Sequence, residues 1–374
     1  MAKHNKSVAV VEYDNVFTYD HLFQAFIHCR KGKRFRSTVI DFETDLVKKL
    51  KKIARALEHR KYTFGELYEF TIYEPKKRDI VANQFADKLI QWIDCEYILM
   101  PTIAPKLIFD NYASQPGKGT DLSRHRLEKA YKKFWNTYHT NEGYILRCDI
   151  KSYFGSIHRE TLYKMVKELP IDDDCKEMIR KQIYAHREDE EVGVCIGFQS
   201  MQWLAVYYLN GLDHYIKEEL HIKWYGRYMD DFYLIHHDKA YLQECYAKIT
   251  EYIEDKLKLK LNKKSGITKL GINMNWLGFQ YRLNERGRVI CHVTKASIRR
   301  YVKRTEKYMK LYQNDDVSLE QISQSLNSWA AHIDNATNST KMKKYLLNRI
   351  LLLCDKYEIP PSEVIPATLL KRRV

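Results

Sequence analysis

"RYMDDFYLIHH", residues 227–237, places two adjacent carboxylates, Asp230 and Asp231, in a run that is otherwise largely aromatic and aliphatic. Such a run reads as a strand or tight hairpin near a core, where ionised carboxylates are costly unless something compensates them. A plain turn is one reading, because Asp favours turns and paired aspartates cap neighbouring elements; Tyr-x-Asp-Asp alone is a weak signal. A second stretch changes the balance. "ILRCDIKSYF" (145–154) ends an apolar strand in Asp149, with Phe154 five residues on. Successive strand side chains point to opposite faces, so Asp230 and Asp231 do not face one ligand equally unless the turn intervenes. One of them together with Asp149 makes a compact oxygen-donor site suited to Mg²⁺, which takes a few carboxylates and fills its shell with water and phosphate oxygens. Two such ions about 3.5–4 Å apart activate a 3′-hydroxyl and neutralise a leaving pyrophosphate.

The rest of the chain suits that chemistry. With 374 residues, 45% of them hydrophobic, it can bury a core and fold as one large body with two or three sub-parts. The net charge is +15, and the 63 Lys and Arg residues run from end to end. Charge alone could mean solubility; interleaved with 28 Tyr and 14 Phe, it points to a polyanion with faces to stack on, a nucleic acid. Eight isolated cysteines without a C-x-x-C pair argue against a zinc ribbon or disulfide framework and for a reducing compartment. No apolar stretch is long enough to span a bilayer and the start "MAKHNKS" has no signal-peptide character, so a cytoplasmic protein without a membrane partner is expected.

The periodicities predict a helix over 41–57, two strand-like runs within 62–81, an apolar helix over 83–104 and a helix over 123–136. "SQPGKGT" (114–120) is the richest turn signal, and a hairpin is expected over 222–235. "MNWLGFQYRL" (274–283) reads as a short strand. Beyond 293, Ile298, Val302, Thr305, Met309 and Tyr312 recur at helical spacing, with Arg299, Arg300, Lys303, Arg304, Lys307 and Lys310 on the other face. That one-sided cationic density favours duplex-backbone contact over a merely solvated face. His236 and His237 read as surface contacts rather than metal ligands, and the aspartates at 172–174 as a helix cap. "GKG" at 117–119 lacks the spacing of a P-loop.

The ordered series Asp149 with Phe154, "IGFQSMQ" (196–202), "YMDD" (228–231), "LNKKS" (261–265) and "WLGF" (276–279) resembles the motif series of reverse transcriptases. Five weak motifs in register are jointly strong. "YEPKKRDIVANQFADKLIQ" (73–91) and "NYASQPGKGT" (111–120) resemble the fingers motifs of bacterial enzymes, and "SLNSWAAHIDNA" (325–336) their thumb. The series most resembles the reverse transcriptases of diversity-generating retroelements, related to group II intron and retron enzymes. The resemblance implies an α+β right-hand polymerase with fingers, palm and thumb, an antiparallel palm sheet, a helical thumb and no RNase H domain. Boundaries follow: an N-terminal helical segment over 1–66, catalytic fingers and palm over 67–285, and the thumb with its tail over 286–374.

The resemblance also implies roles. Asp149 and Asp230 would be the pair that holds Mg²⁺ (or Mn²⁺ in its place), with Asp231 adjacent and less direct and Ile150 beside them, and Lys264 would protonate the leaving pyrophosphate. Lys76 and Arg78 would clasp the dNTP triphosphate, Arg through its fork. Phe154 would gate against a ribose 2′-OH, with Tyr153 the nearest confusable candidate, and Ile196, Gly197 and Gln202 would line the nucleotide site. Lys118 would contact the template backbone, Trp276, Leu277 and Gly278 would grip the primer, and Arg299, Arg300, Lys303 and Arg304 would follow the duplex. Implied partners are a template RNA, a cDNA primer and a small basic helical accessory protein. Two departures stand out: Met201 replaces the Ser expected before Gln202, and the apolar Ile196 replaces the glutamine of retroviral enzymes, which predicts reduced fidelity. Error-prone cDNA synthesis from a dedicated template RNA is the leading expectation. A phage-responsive defence enzyme using a non-coding RNA is the alternative, and a catalytically inactive RNA-binding scaffold the third. Asp149, Asp230, Lys264 and Arg78, kept together, argue against the last.

Overall fold

The computed structural model describes residues 9–73 and 78–370, and mixes helices with three antiparallel or mixed sheets. Strand β1 (Tyr68–Ile72) pairs antiparallel with β2 (Arg78–Ala82), from Tyr68↔Ala82 to Ile72↔Arg78. Strands β3 (Tyr144–Asp149), β4 (Trp224–Tyr228), β5 (Asp231–His236) and β6 (Gly266–Lys269) form a four-stranded sheet in the order β4-β5-β3-β6. The β4–β5 register ends at Tyr228↔Asp231, so Met229 and Asp230 alone make the turn. Phe232 to Ile235 are all buried, which is why β5 reads as a continuous apolar run rather than an alternating one.

The chain divides into two compact units. The first contains the residues up to 123 with 146–236 and 240–266, and the second 124–145, 237–239 and 267–374. The first unit's core includes the helix Gln199–Tyr208, buried on nearly every side; Met201 is fully buried there, so an apolar residue in place of Ser is a packing choice. The expected helix over 41–57 breaks at Asp45 into Ser37–Thr44 and Leu46–Glu58. The expected helix over 83–104 comes in three pieces, with a π-helical stretch at Asp94–Leu99 between Phe85–Ile93 and Met100–Ile103. Asp172 caps the helix Asp173–Ile183 by accepting from Cys175 N (2.8 Å), as the run of aspartates suggested.

In the second unit β7 (Met274–Trp276), β8 (Phe279–Leu283) and β9 (Val289–His292) form a meander. "MNWLGFQYRL" is therefore a hairpin and not one strand: Leu277 (φ 45°) and Gly278 (φ 89°) both adopt left-handed backbone between Trp276 and Phe279. Two positive φ values match the type I′ turn that follows the twist of paired strands. A leucine at the first position hid it. The helix Lys295–Tyr312 buries Ile298, Val302, Thr305 and Met309 and exposes Arg299, Arg300, Lys303, Lys307 and Lys310. Each buried aliphatic there contributes roughly 1.5–3 kcal/mol. Arg304 turns inward instead, towards Ser325 Oγ and the Tyr301 ring. Helices Leu319–Asp334 and Ser339–Lys356 complete the unit.

All eight cysteines are free thiols, and among the described residues no helix is long and apolar enough to cross a membrane.

Candidate active site

The end of β3 and the β4–β5 turn meet through the backbone: Ile150 N donates to Asp230 O at 3.3 Å. Asp149 and Asp230 therefore sit at one end of the sheet. The Asp230 carboxyl is pushed up to about 6, first by burial and then by the negative charges of Asp231 and Asp149; its own backbone and the Arg78 guanidinium act the other way. Arg78, the first residue of β2, is thus electrostatically part of this site. Asp149 is clasped by the segment around 260–265. Asn262 Nδ2 donates to Asp149 Oδ2 (2.9 Å), Asn262 N to Asp149 O (2.7 Å), and Asp149 N to Ser265 Oγ (3.1 Å). Lys264 lies in that clasp, its amide donating to Asn262 Oδ1 (3.2 Å) and its side chain exposed.

The turn itself is strained. Met229 has φ 54° and Ser152, just beyond Asp149, φ 50°. Non-glycine residues in such backbone cost of order 1–3 kcal/mol each and cluster at functional sites. A buried device holds the turn: Arg227 donates from Nε to Asp213 Oδ1 (2.7 Å), from Nη2 to Asp213 Oδ2 (2.6 Å) and Val206 O (2.9 Å), and from Nη1 to Met229 O (2.9 Å). Neither Arg227 nor Asp213 is exposed at all. Sequence reasoning missed this pair, although an arginine inside an otherwise buried strand was the available signal.

The remaining expected residues divide. Asp231, on the strand face rather than in the turn, forms a cross-strand ion pair with Arg147 (2.7 Å). Tyr153 is buried with its hydroxyl on Ala205 O, whereas Phe154 stays half-exposed, so the ring left at the surface is Phe154. Gly197 abuts β2: a Cβ there would lie 2.1 Å from Val81 O. Gln202 Nε2 donates to Ile196 O (3.3 Å), fixing the loop that carries the half-exposed Ile196 beside that strand. The Lys118 ammonium donates to Phe109 O (3.0 Å) and Asn111 O (2.9 Å), tying its own loop. Lys76 lies outside the described residues. Trp276, Leu277, Gly278 and the basic helix belong to the second unit, where Trp276 is buried and Leu277 and Gly278 form the hairpin tip.

Among the described residues, no three carboxylate, imidazole or thiolate side chains are already arranged around a cation position. The donor chemistry at Asp149 and Asp230 nonetheless fits a hard divalent cation. Mg²⁺ needs only one or two protein carboxylates beside water and phosphate oxygens, and like charges that raise an acid's pKa are relieved by a cation.

Among solved structures, the chain is similar to a telomerase from Candida albicans in complex with a TWJ fragment of telomeric RNA, at 11% identity and TM-score 0.47, over 85% of this chain and 66% of that one. It is also similar to an apo telomerase from Candida tropicalis truncated from its C-terminal domain, at 14% identity and TM-score 0.42, over 64% of this chain and 58% of that one. The chain thus spans less than two thirds of the length of either. No family model and no curated protein matches it.

Proposed function

We propose that the protein is an RNA-directed DNA polymerase that makes error-prone cDNA from a dedicated template RNA, of the type found in diversity-generating retroelements. The observation that carries the reading is the junction of the β3 end with the β4–β5 turn, which gathers Asp149, Asp230 and Arg78. Mg²⁺ bound at Asp149 and Asp230 would supply activation of the primer 3′-hydroxyl and neutralisation of charge on the phosphates.

This chain's own residues do the rest. Asp149, held by Asn262, and Asp230, held by the strained turn, present acceptor oxygens in fixed directions. The Arg78 fork binds the triphosphate of the incoming dNTP, and the Phe154 ring blocks a 2′-hydroxyl. The 3′-hydroxyl releases its proton to water as its oxygen bonds to the α-phosphorus, the bond from that phosphorus to the α–β bridging oxygen breaks, and the exposed Lys264 ammonium donates a proton to the departing pyrophosphate. Ile196 cannot hydrogen-bond a nascent base pair, which lowers fidelity. A small basic accessory protein and the cDNA–template duplex are the proposed partners, the duplex lying along Arg299, Arg300 and Lys303.

Primer extension on an RNA template with Mg²⁺ and dNTPs tests the reading. Wild type extends and Asp230→Ala does not; equal extension by both overturns it.

A further inference from the structure

The first unit carries a second cavity, which Gly197 also lines. The turn after the helix Tyr19–Arg30, the start of the helix Ser37–Thr44, the helix Phe85–Ile93 and the loop entering helix Gln199–Tyr208 line an open cavity of about 430 Å³. Its lining carries Lys31, Lys33, Arg36 and Lys88 with His28, and no carboxylate. Among the described residues none of the four cations has an ion-pair partner; the nearby acids are committed elsewhere, Glu43 to Arg30 and Asp87 to Tyr62 Oη (2.7 Å). The Lys88 ammonium is held below its usual range by burial and then by the charges of Lys33 and Arg36, which outweigh the opposite pull of Cys29 and Asp87. Such a cluster repels itself and is relieved by an anion.

A second observation points the same way. Gln91 lines the cavity at 2% exposure, and its Nε2 has no hydrogen-bond partner. Its Oε1 accepts from Gln199 N (3.2 Å), which fixes the amide's orientation and leaves Nε2 as a buried donor lacking an acceptor. Cations around an unmatched amide donor at a helix N-terminus define an anion acceptor site. Phe85 and Val39 add an apolar wall, and the volume lies in the range of small-ligand pockets.

We propose that this cavity binds a multiply charged phosphate group, such as that of a nucleoside polyphosphate, independently of Asp149 and Asp230. The phosphate oxygens accept from Gln91 Nε2 and neutralise Lys33, Arg36 and Lys88. A free nucleotide and the backbone of a single strand share this chemistry, and the test separates them.

Binding of inorganic tripolyphosphate, ATP and a single-stranded RNA is measured in EDTA at low salt, so that no divalent cation draws phosphate to the acidic pair. The probes are wild type, Lys33→Ala/Arg36→Ala, and Gln91→Glu, which keeps the Gln199 contact and replaces the donor by a charge. Melting curves confirm that the variants fold, and the surface double variant stands alone if Gln91→Glu does not. Expected is a loss of about tenfold or more for tripolyphosphate and ATP in either variant. Loss for these two with RNA unchanged identifies a free polyphosphate as ligand; loss shared by RNA identifies a strand phosphate. Unchanged affinity for all three probes, or no binding of any by wild type, overturns the proposal.

Discussion

Replacing Asp230 by Asn should make the protein more stable while removing the proposed polymerase activity. The folded carboxyl sits at about 6 against an ordinary value of 3.8, raised by burial, Asp231 and Asp149. For an acid whose folded pKa is raised, the folded state holds more protons than the unfolded one between about pH 4 and 6. Stability therefore falls as pH rises through that window and stays lost above it. A shift of about two units corresponds to about 3 kcal/mol. The carboxyl is partly exposed, and discounting by half for solvent screening leaves about 1.5 kcal/mol. Asn is nearly isosteric, suits turns, and carries no charge to desolvate. Thermal unfolding in EDTA at pH 8 should show Asp230→Asn melting about 3–6 °C above wild type, from about 2–4 °C per kcal/mol in a unit of this size. The gap should close near pH 4, where wild type is protonated too, and narrow at pH 8 on adding Mg²⁺. A variant melting at or below wild type at pH 8, or a gap that ignores pH, refutes the picture of Asp230 as a carboxylate held at an electrostatic cost.

Gly197→Ala forces a methyl to 2.1 Å from Val81 O, so β2 must move; a loss of about 1–3 kcal/mol and slower nucleotide addition are expected, and unchanged melting and kinetics remove the close-approach argument. Phe154→Ala should admit ribonucleotides in single-nucleotide addition assays. Tyr153→Phe should leave sugar selection alone and cost about 1–2 kcal/mol in chemical denaturation, through the unpaired Ala205 carbonyl; the opposite pattern would exchange their roles. Ile196→Gln should lower misincorporation opposite template adenine, scored by sequencing of cDNA; equal error spectra discard the fidelity claim. Arg227→Met strands Asp213 in the core and should cost about 3–5 kcal/mol by denaturant unfolding, with Arg227→Met/Asp213→Leu recovering much of it; a mild single variant contradicts the buried pair.

The sequence made Asp149 and the 230–231 doublet legible because each interrupts an apolar strand, and charge in such a place needs a reason. Strand alternation alone could not separate Asp230 from Asp231, although the motif resemblance ranked Asp230 first. That distinction depends on the two-residue turn at Met229–Asp230, and on an Arg147 that β3 supplies across the sheet. Asn262 was invisible as the partner of Asp149 because 113 residues separate them and nothing local marks a polar turn residue as a clasp. The bonds of Lys118 were hidden for a related reason: nothing local shows that a lysine in a glycine-rich loop will tie to two carbonyls, Phe109 O and Asn111 O. Helix-long patterns fared better. Apart from the inward-turned Arg304, the cationic and apolar faces of 295–312 follow from spacing alone, because there the period is set by the backbone and needs no distant partner.

The buried Arg227–Asp213 pair explains how the site can hold both a strained turn and an uncompensated carboxylate. A turn with left-handed Met229 needs a rigid tether, and a charged guanidinium makes the strongest one available, reaching Met229 O directly. An unpaired arginine so close would also act as a counter-ion, lowering the Asp230 pKa and competing with any divalent cation. Bonding both Asp213 oxygens, with Tyr225 Oη donating to Oδ1 as well (2.6 Å), confines that charge to a nearly neutral cluster. Geometry at the turn is thereby fixed by a group whose charge is spent elsewhere, while the cation that does act on Asp230, Arg78, sits at the exposed start of β2. Position and charge at Asp230 are set by different residues, so each can be altered without the other.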